Sequence, residues 1–180
     1  MDNYKLVSGV KLGTIQVWHS IKVYFHLILN YLVKIFRIST LQPLHRAFLQ
    51  VNTDLDELTQ VLEWFNQFNS PPMPHQAWME CQLALAEGFT NAVRHAHGGQ
   101  PVDLLIDLEV QVFDERMEIR IWDQGAPFDL EERLHRMPST IDTEAEGGRG
   151  LRLMERITDH LSYTRLQDSR NCLLLVKKFL

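Results

Sequence analysis

The sequence predicts an α+β domain, a two-layer sandwich with helices on one face of a mixed, mostly antiparallel sheet. Three observations carry that expectation. Apolar residues alternate in two successive segments, Leu104, Ile106, Leu108, Val110 and Val112, then Met117, Ile119 and Ile121; a period of two marks strands with one buried face. Elsewhere they recur at helical spacing, as Leu55, Leu58, Val61, Leu62, Phe65 and Phe68 do, which marks a helix with one inward side. The chain has 180 residues and is 45% hydrophobic, which suits one globular domain with a sizeable core. Helices segregated on one face of such a sheet give the sandwich.

The elements follow in order from about Leu41. His45 to Val51 reads as a short strand. Asn52-Thr53-Asp54, with Asp56 and Glu57 behind, is a capping signal for the first helix. Ser70-Pro71-Pro72-Met73-Pro74 breaks that helix and can open the next, because proline is tolerated in a first turn. A second helix is expected from His75 to His97, closed by Gly98-Gly99. A strand from Val102 to Val112, a turn at Asp114-Glu115-Arg116 and a strand from Met117 to Ile121 make an antiparallel hairpin. A long polar stretch, Asp129 to Glu146, leads to Gly147-Gly148-Arg149-Gly150 and a third helix with Leu151, Met154 and Ile157 inward. Leu161 to Leu166 and Leu173 to Phe179 complete the sheet.

Charge separates the first forty residues from the rest. Lys5, Lys11, Lys22, Lys34 and Arg37 stand against Asp2 alone, so residues 1–40 carry +4 and leave −9 to the remainder of a chain whose total is −5. The acidic total argues against nucleic acid as the direct partner. Residues 1–40 read either as a poorly ordered basic and apolar extension or as a helix lying on a membrane surface or a partner; residues 41–180 form the domain. The longest uncharged apolar run, Val23 to Val33, is about half of the roughly 20 residues a spanning helix needs, so no transmembrane segment is expected. Two cysteines, Cys81 and Cys172, lie far apart with no CxxC and no zinc spacing; this fits a reducing cytoplasm. Trp64, Phe65, Trp78 and Cys81 read as core.

Three clusters go beyond what a plain structural domain needs. On the second helix Glu87, Asn91 and His95 stand at i, i+4 and i+8 among the small residues Ala84, Gly88, Ala92 and Ala96. Taken alone, the stripe reads first as the solvated face of an amphipathic helix. It also suits a hydrated Mg²⁺, which takes oxygen ligands and shares them with phosphates. Asp123 heads Asp123-Gln124-Gly125-Ala126-Pro127-Phe128-Asp129, and strand parity points it to the buried face with Ile121 and Ile119. A carboxylate there needs a donor, for which the exocyclic amine of a purine is suitable; an aspartate starting a turn is the plainer alternative. Gly147-Gly148-Arg149-Gly150 directly precedes a helix. Glycines free the backbone to cradle oxygens, and a helix N-terminus favours phosphate. No Lys-Ser/Thr follows, so this is not a P-loop. His95 and His97 are two apart on a helix and splay, which reads against a bis-histidine metal site.

In this order the three clusters resemble the N, G1 and G2 boxes of the Bergerat-fold (GHKL, histidine-kinase-like) ATPases. Glu87-Gly88-Phe89-Thr90-Asn91-Ala92-Val93-Arg94-His95-Ala96 is similar to the N box of the anti-sigma serine/threonine kinases of the RsbW and SpoIIAB type. Asp123 to Asp129 resembles their G1 box, and Gly147-Gly148-Arg149-Gly150-Leu151 with Arg152-Leu153-Met154 resembles their G2 box and helix. The likeness covers roughly Leu41 to Leu180. It implies a Bergerat-type sandwich, ATP and Mg²⁺ as cofactors, and roles residue by residue. Asn91 would hold Mg²⁺ against the phosphates, and Asp123 would take the adenine amino group. Gly125, Ala126, Gly147, Gly148, Arg149, Gly150 and Leu151, with His95, would frame the nucleotide and its lid. Glu87 would be the general base toward a protein hydroxyl, and Arg149 would stabilise the transferred phosphoryl group. Asn171-Cys172 stands where the family often has a Gly-Thr-like pair beside the adenine, a departure that bears on base binding.

The function this resemblance implies is an ATP-dependent serine/threonine kinase in a partner-switching module. It would sequester a sigma factor, phosphorylate a STAS-type anti-anti-sigma protein, and act as a cytoplasmic homodimer. One alternative is a regulatory module that binds ATP without transferring phosphate; Glu87 reads against it, because binding alone needs no base. Another is the ATPase end of a histidine kinase, for which the forty residues before Leu41 are expected to be too few to hold a phospho-acceptor helix pair and a sensor. The large Bergerat enzymes acting on DNA or chaperone clients need further domains that are not read here.

Overall fold

The computed structural model describes Ile28 and residues 42–99, 104–137 and 148–179. The expectations for residues 1–40, for the strand start at Val102 and for Gly147 lie outside the described residues. By its internal contacts the chain divides into Met1–Gln42 and Pro43–Leu180, and the second unit holds everything that follows.

Five strands, β1 (His45–Asn52), β2 (Leu105–Val112), β3 (Arg116–Asp123), β4 (His160–Arg165) and β5 (Asn171–Lys178), form one sheet in the order β1-β2-β3-β5-β4. Every pairing among the described residues is antiparallel, where the sequence suggested a mixed sheet. The helix pair between β1 and β2 runs out and back, so β2 arrives beside β1 in the opposite sense. Burial in β3 alternates without a break and ends with Asp123 on the inward side, so parity delivers a carboxylate to the core face.

Among the described residues of this unit four helices, α1 (Leu58–Phe65), α2 (His75–Asn91), α3 (Leu130–Arg136) and α4 (Arg149–Ile157), accompany the sheet. Asp54 caps the 3₁₀ turn ahead of α1 by accepting from the Asp56 amide at 3.0 Å, as the sequence signal indicated. Helix α2 turns Trp78, Cys81, Leu85 and Phe89 inward, at intervals of three and four. They meet Phe65, Phe68, Ile106, Ile119, Ile121 and Leu175 in one core. Burying each such side chain contributes roughly 1.5–3 kcal/mol, which makes α2 the central beam of the domain. Trp64 packs against this core only in part.

Two local features differ from expectation. Helix α2 is α-helical only to Asn91; Ala92–Ala96 is a π-helical turn, closed by the His97 amide on the Ala92 carbonyl at 3.0 Å. The polar stretch after Asp129 contains α3, whose start is capped by Asp129 accepting from the Glu132 amide at 2.9 Å. Leu130 and Leu134, four apart, are its buried side.

Candidate functional site

A cavity opens beside the C-terminal part of α2, against the end of β3, the start of α4 and the middle of β4. Of the residues singled out from sequence, Asn91, His95, Asp123, Ala126, Gly148 and Leu151 line it. Phe128, Arg133 and Tyr163 line it too. Glu87, Gly125, Arg149 and Gly150 do not.

At one end, Glu87 and Asn91 converge on Gly150. A Cβ on Gly150 would run into Glu87 Oε2 and come within 3.5 Å of Asn91 Nδ2. The two side chains rise one turn apart from α2, while Gly150 sits in the first turn of α4. Only glycine lets that turn come so close. The cap of α4 is Gly148, at φ 93° with no side-chain hydrogen bond, so no side chain claims the first amides of α4. Unclaimed amides at a helix start, with the positive end of the helix dipole, suit an anion. Asn91 Nδ2 is buried without a hydrogen-bond partner among the described residues. A buried amide left unmade is costly, and a bound group would resolve it. Arg149 is exposed.

The π turn alters the stripe read from the sequence. His95, one turn beyond Asn91, still borders the cavity but is exposed, whereas His97 is 1% exposed. π turns of this kind are frequent at functional sites. The splay expected between His95 and His97 is therefore present, and His97 does structural work. Its Nε2 accepts from the Gln124 amide at 2.7 Å, and its Nδ1 lies 2.7 Å from Thr53 Oγ1. The Thr53 hydroxyl spends its proton on the Leu104 carbonyl at 2.7 Å, so Nδ1 carries the hydrogen and the ring is neutral. Burial holds the His97 pKa below its ordinary value, against the pull of the Asp123 carboxylate.

At the other end, Asp123 is 3% exposed and richly supplied with donors. The Gly125 amide donates to Oδ1 at 2.9 Å, Asn171 Nδ2 donates to Oδ1 at 2.7 Å, and the Tyr163 hydroxyl reaches both carboxylate oxygens at 2.9 Å. Cross-strand register produces this set: Asn171 on β5 pairs with Asp123 on one side and Arg165 on the other. Arg165 Nη1 donates to Asn171 Oδ1 at 3.1 Å and to the Gly125 carbonyl at 2.9 Å, which fixes the amide with its nitrogen toward Asp123. Burial first, then the neighbouring carboxylate, pushes the Tyr163 phenol well above its ordinary range, so it stays a donor. Gly125 is buried, and a Cβ on it would lie 2.6 Å from Ala96 Cα; its missing side chain lets the turn rest on the π segment.

Sequence reasoning missed Tyr163, Arg165, Arg133 and the role of His97. Alternation along β4 places Tyr163 and Arg165 on one face, and pairing with β5 carries them to Asp123; only the strand order reveals it. Among the described residues no group of three His, Cys, Asp or Glu side chains could hold a metal ion, and no helix is long and apolar enough to cross a membrane.

A fold with helices against an antiparallel sheet, and a cavity between a carboxylate at a strand end and a glycine-led helix, suits a nucleotide-binding ATPase domain. The family model for the Histidine kinase-like ATPase domain matches residues 51–177, and the chain belongs to that family. Curated relatives carry the name Serine-protein kinase RsbW. The one from Listeria innocua is 34% identical over 90 residues, 47% of this chain and 57% of the relative. That from Staphylococcus epidermidis is 38% identical over 88 residues, 46% and 55% respectively, and that from Bacillus velezensis 31% over 106 residues, 56% and 64%. The chain thus spans little more than half the length of the curated relatives it matches. Among solved structures, Acinetobacter baumannii histidine kinase AdeS superposes with a TM-score of 0.40 at 14% identity, over 97% of this chain and 86% of that one.

Proposed function

We propose that this protein is an ATP-dependent serine/threonine kinase acting as an anti-sigma factor, which binds a sigma factor and phosphorylates a STAS-type anti-anti-sigma protein in the cytoplasm. The observation that carries the proposal is the convergence of Glu87 and Asn91 on Gly150 at the start of α4, with Asp123 on the far wall of the adjoining cavity. The relatives named Serine-protein kinase RsbW support the same reading.

The residues present fit ATP and Mg²⁺: Asn91 Nδ2 is a buried donor in need of an acceptor, which a phosphate oxygen would supply, its Oδ1 is an oxygen of the kind Mg²⁺ takes, and Gly150 lets the first turn of α4 come up against Glu87 and Asn91. Asn91 would hold the Mg²⁺, whose chemistry is to neutralise charge on the phosphate oxygens. The free amides of α4, with Gly148 and by resemblance Gly147, would cradle those oxygens. Asp123 would accept from the adenine amine, with Ala126 and Leu151 as apolar wall and His95 at the rim. Glu87 would take the proton of the Ser or Thr hydroxyl as its oxygen bonds the γ-phosphorus and the bond to the bridging oxygen of ADP breaks. Arg149, exposed at the first position of α4, would close over the transferred group. Such transfer needs mainly positioning and electrostatics. The kinase would work as a homodimer, with residues 1–40 an appendage to the 41–180 domain.

The test is affinity capture from the host cell with Mg-ATP present, then transfer of labelled phosphate to any STAS protein recovered. Recovery of a sigma factor and a STAS protein phosphorylated by the wild type, but not by Glu87→Ala with ATP affinity intact, is the expected result. Equal phosphorylation by Glu87→Ala would remove the base. A captured partner with no phosphorylation at all would favour a module that binds ATP without transferring phosphate.

A further inference from the structure

The Asp123 carboxylate has four acceptor positions, two on each oxygen. The Gly125 amide and Asn171 Nδ2 fill those of Oδ1 at 2.9 and 2.7 Å. The Tyr163 hydroxyl has a single proton; it lies 2.9 Å from Oδ1 and from Oδ2, and the saturation of Oδ1 turns that proton to Oδ2. Among the described residues one acceptor position remains, on Oδ2, and Asp123 and Tyr163 both line the cavity. The Tyr163 ring is held in turn by Phe128, stacked at 4.5 Å and 27°.

We propose that Tyr163 is the positioning residue that sets base specificity, by orienting the Asp123 carboxylate so that its one vacant acceptor faces the cavity. The proposal rests on the reading of Asp123 as the base acceptor. A ligand group that donates at this point, such as the 6-amino group of adenine, completes the carboxylate. A 6-keto purine brings an oxygen against an oxygen and is refused, since leaving a buried partner unmade costs more than a made bond gains. Without the hydroxyl, the carboxylate can rotate about Cβ and offer Oδ2 to other donors or to water, and the refusal weakens. Asn171 and Tyr163 thereby supply two of the donors that hold Asp123.

The experiment uses the full 180-residue chain and measures Kd for ATP and ITP, in which a 6-keto group replaces the 6-amino group and N1 gains a hydrogen, by calorimetry at pH 7.5. Tyr163→Phe keeps the ring and its stack and removes one oxygen. The expected result is a fall in the ATP-over-ITP preference of about tenfold, chiefly through weaker ATP, equivalent to about 1.4 kcal/mol. Phe128→Leu, at an exposed position, frees the ring and is expected to lower the same ratio. Asp123→Asn is the control for the underlying reading. A merely structural Tyr163 would weaken both nucleotides alike and leave the ratio fixed; that outcome, with Asp123→Asn abolishing the preference, overturns the role of Tyr163 and keeps that of Asp123. An ATP affinity that rises in Tyr163→Phe also overturns it, because the hydroxyl would then compete with the base. If Asp123→Asn leaves the preference untouched, the base reading itself falls.

Discussion

Acid should destabilise this domain through His97, and the size of the effect follows from its contacts. The ring accepts from the Gln124 amide and donates to Thr53, each at 2.7 Å, and it is 1% exposed. A proton on Nε2 would set N–H against N–H at Gln124, so the folded state holds the ring neutral and its pKa is lowered by burial. The unfolded chain binds that proton near the ordinary value of about 6.5. Below that value the unfolded state therefore carries more protons than the folded one, and stability rises with pH. The stabilisation is complete above about 6.5 and is lost as pH falls toward the lowered folded value. For one proton the slope cannot exceed about 1.4 kcal/mol per pH unit.

His97→Gln isolates this effect. A glutamine oxygen can accept from Gln124 and its nitrogen can donate to Thr53, but it does not titrate. Urea unfolding from pH 7.5 to 5.0 should show the wild type losing stability more steeply than the variant, by up to about 1.4 kcal/mol per unit below about pH 6.5. His97→Leu breaks both bonds and should cost about 2 kcal/mol at pH 7.5, taking about 1 kcal/mol for each. Because Gln124 adjoins Asp123, ATP affinity should fall with stability in acid. Parallel pH profiles for wild type and His97→Gln would refute the assignment of the neutral ring.

Two substitutions probe the rest of the site. Gly125→Ala places a Cβ 2.6–2.7 Å from the Ala96 Cα, Cβ and carbonyl oxygen; that backbone cannot yield cheaply, and overpacking of this kind costs roughly 1–3 kcal/mol, so an unchanged urea midpoint would count against the packing. Asn91→Ala should weaken ATP by about tenfold or more with Mg²⁺ and little without it; equal loss in both conditions would assign Asn91 to the scaffold.

The sheet and the three clusters were legible because each rests on a local rule. Period-two burial placed Asp123 inward, and the spacing of Val61, Phe65 and Phe68 gave the first helix. The short helix α3 was obscured by charge, since five of the seven residues in Leu130–Arg136 are Glu, Arg or His. Its signals were the Asp129 cap with Glu132 three residues on and the Leu130–Leu134 pair, a pattern easily hidden inside a polar stretch. The π turn left no sequence mark at all. Its residues, Ala92 to Ala96, fit an α-helix equally well, and the extra width becomes necessary only when Gly125 must rest on Ala96 while His97 reaches both Thr53 and Gln124.

Tyr163 and Arg165 were hidden for a different reason, one of topology. They follow Asp123 by 40 and 42 positions, and the nearest chain neighbours of Asp123 give no hint of them. Strand order brings them in: β5 inserts between β3 and β4, so a single residue, Asn171, faces Asp123 on one side and Arg165 on the other. A motif read along the chain can locate the carboxylate, but which donors hold it depends on the order in which strands pair. The same condition applies at the other end of the cavity, where Glu87 and Asn91 are helical neighbours by spacing and meet Gly150 only because α4 packs across α2. Motif residues are thus set by sequence spacing, and the residues that orient them by packing; substitutions in the second group should alter which base or partner is chosen while leaving the motifs intact.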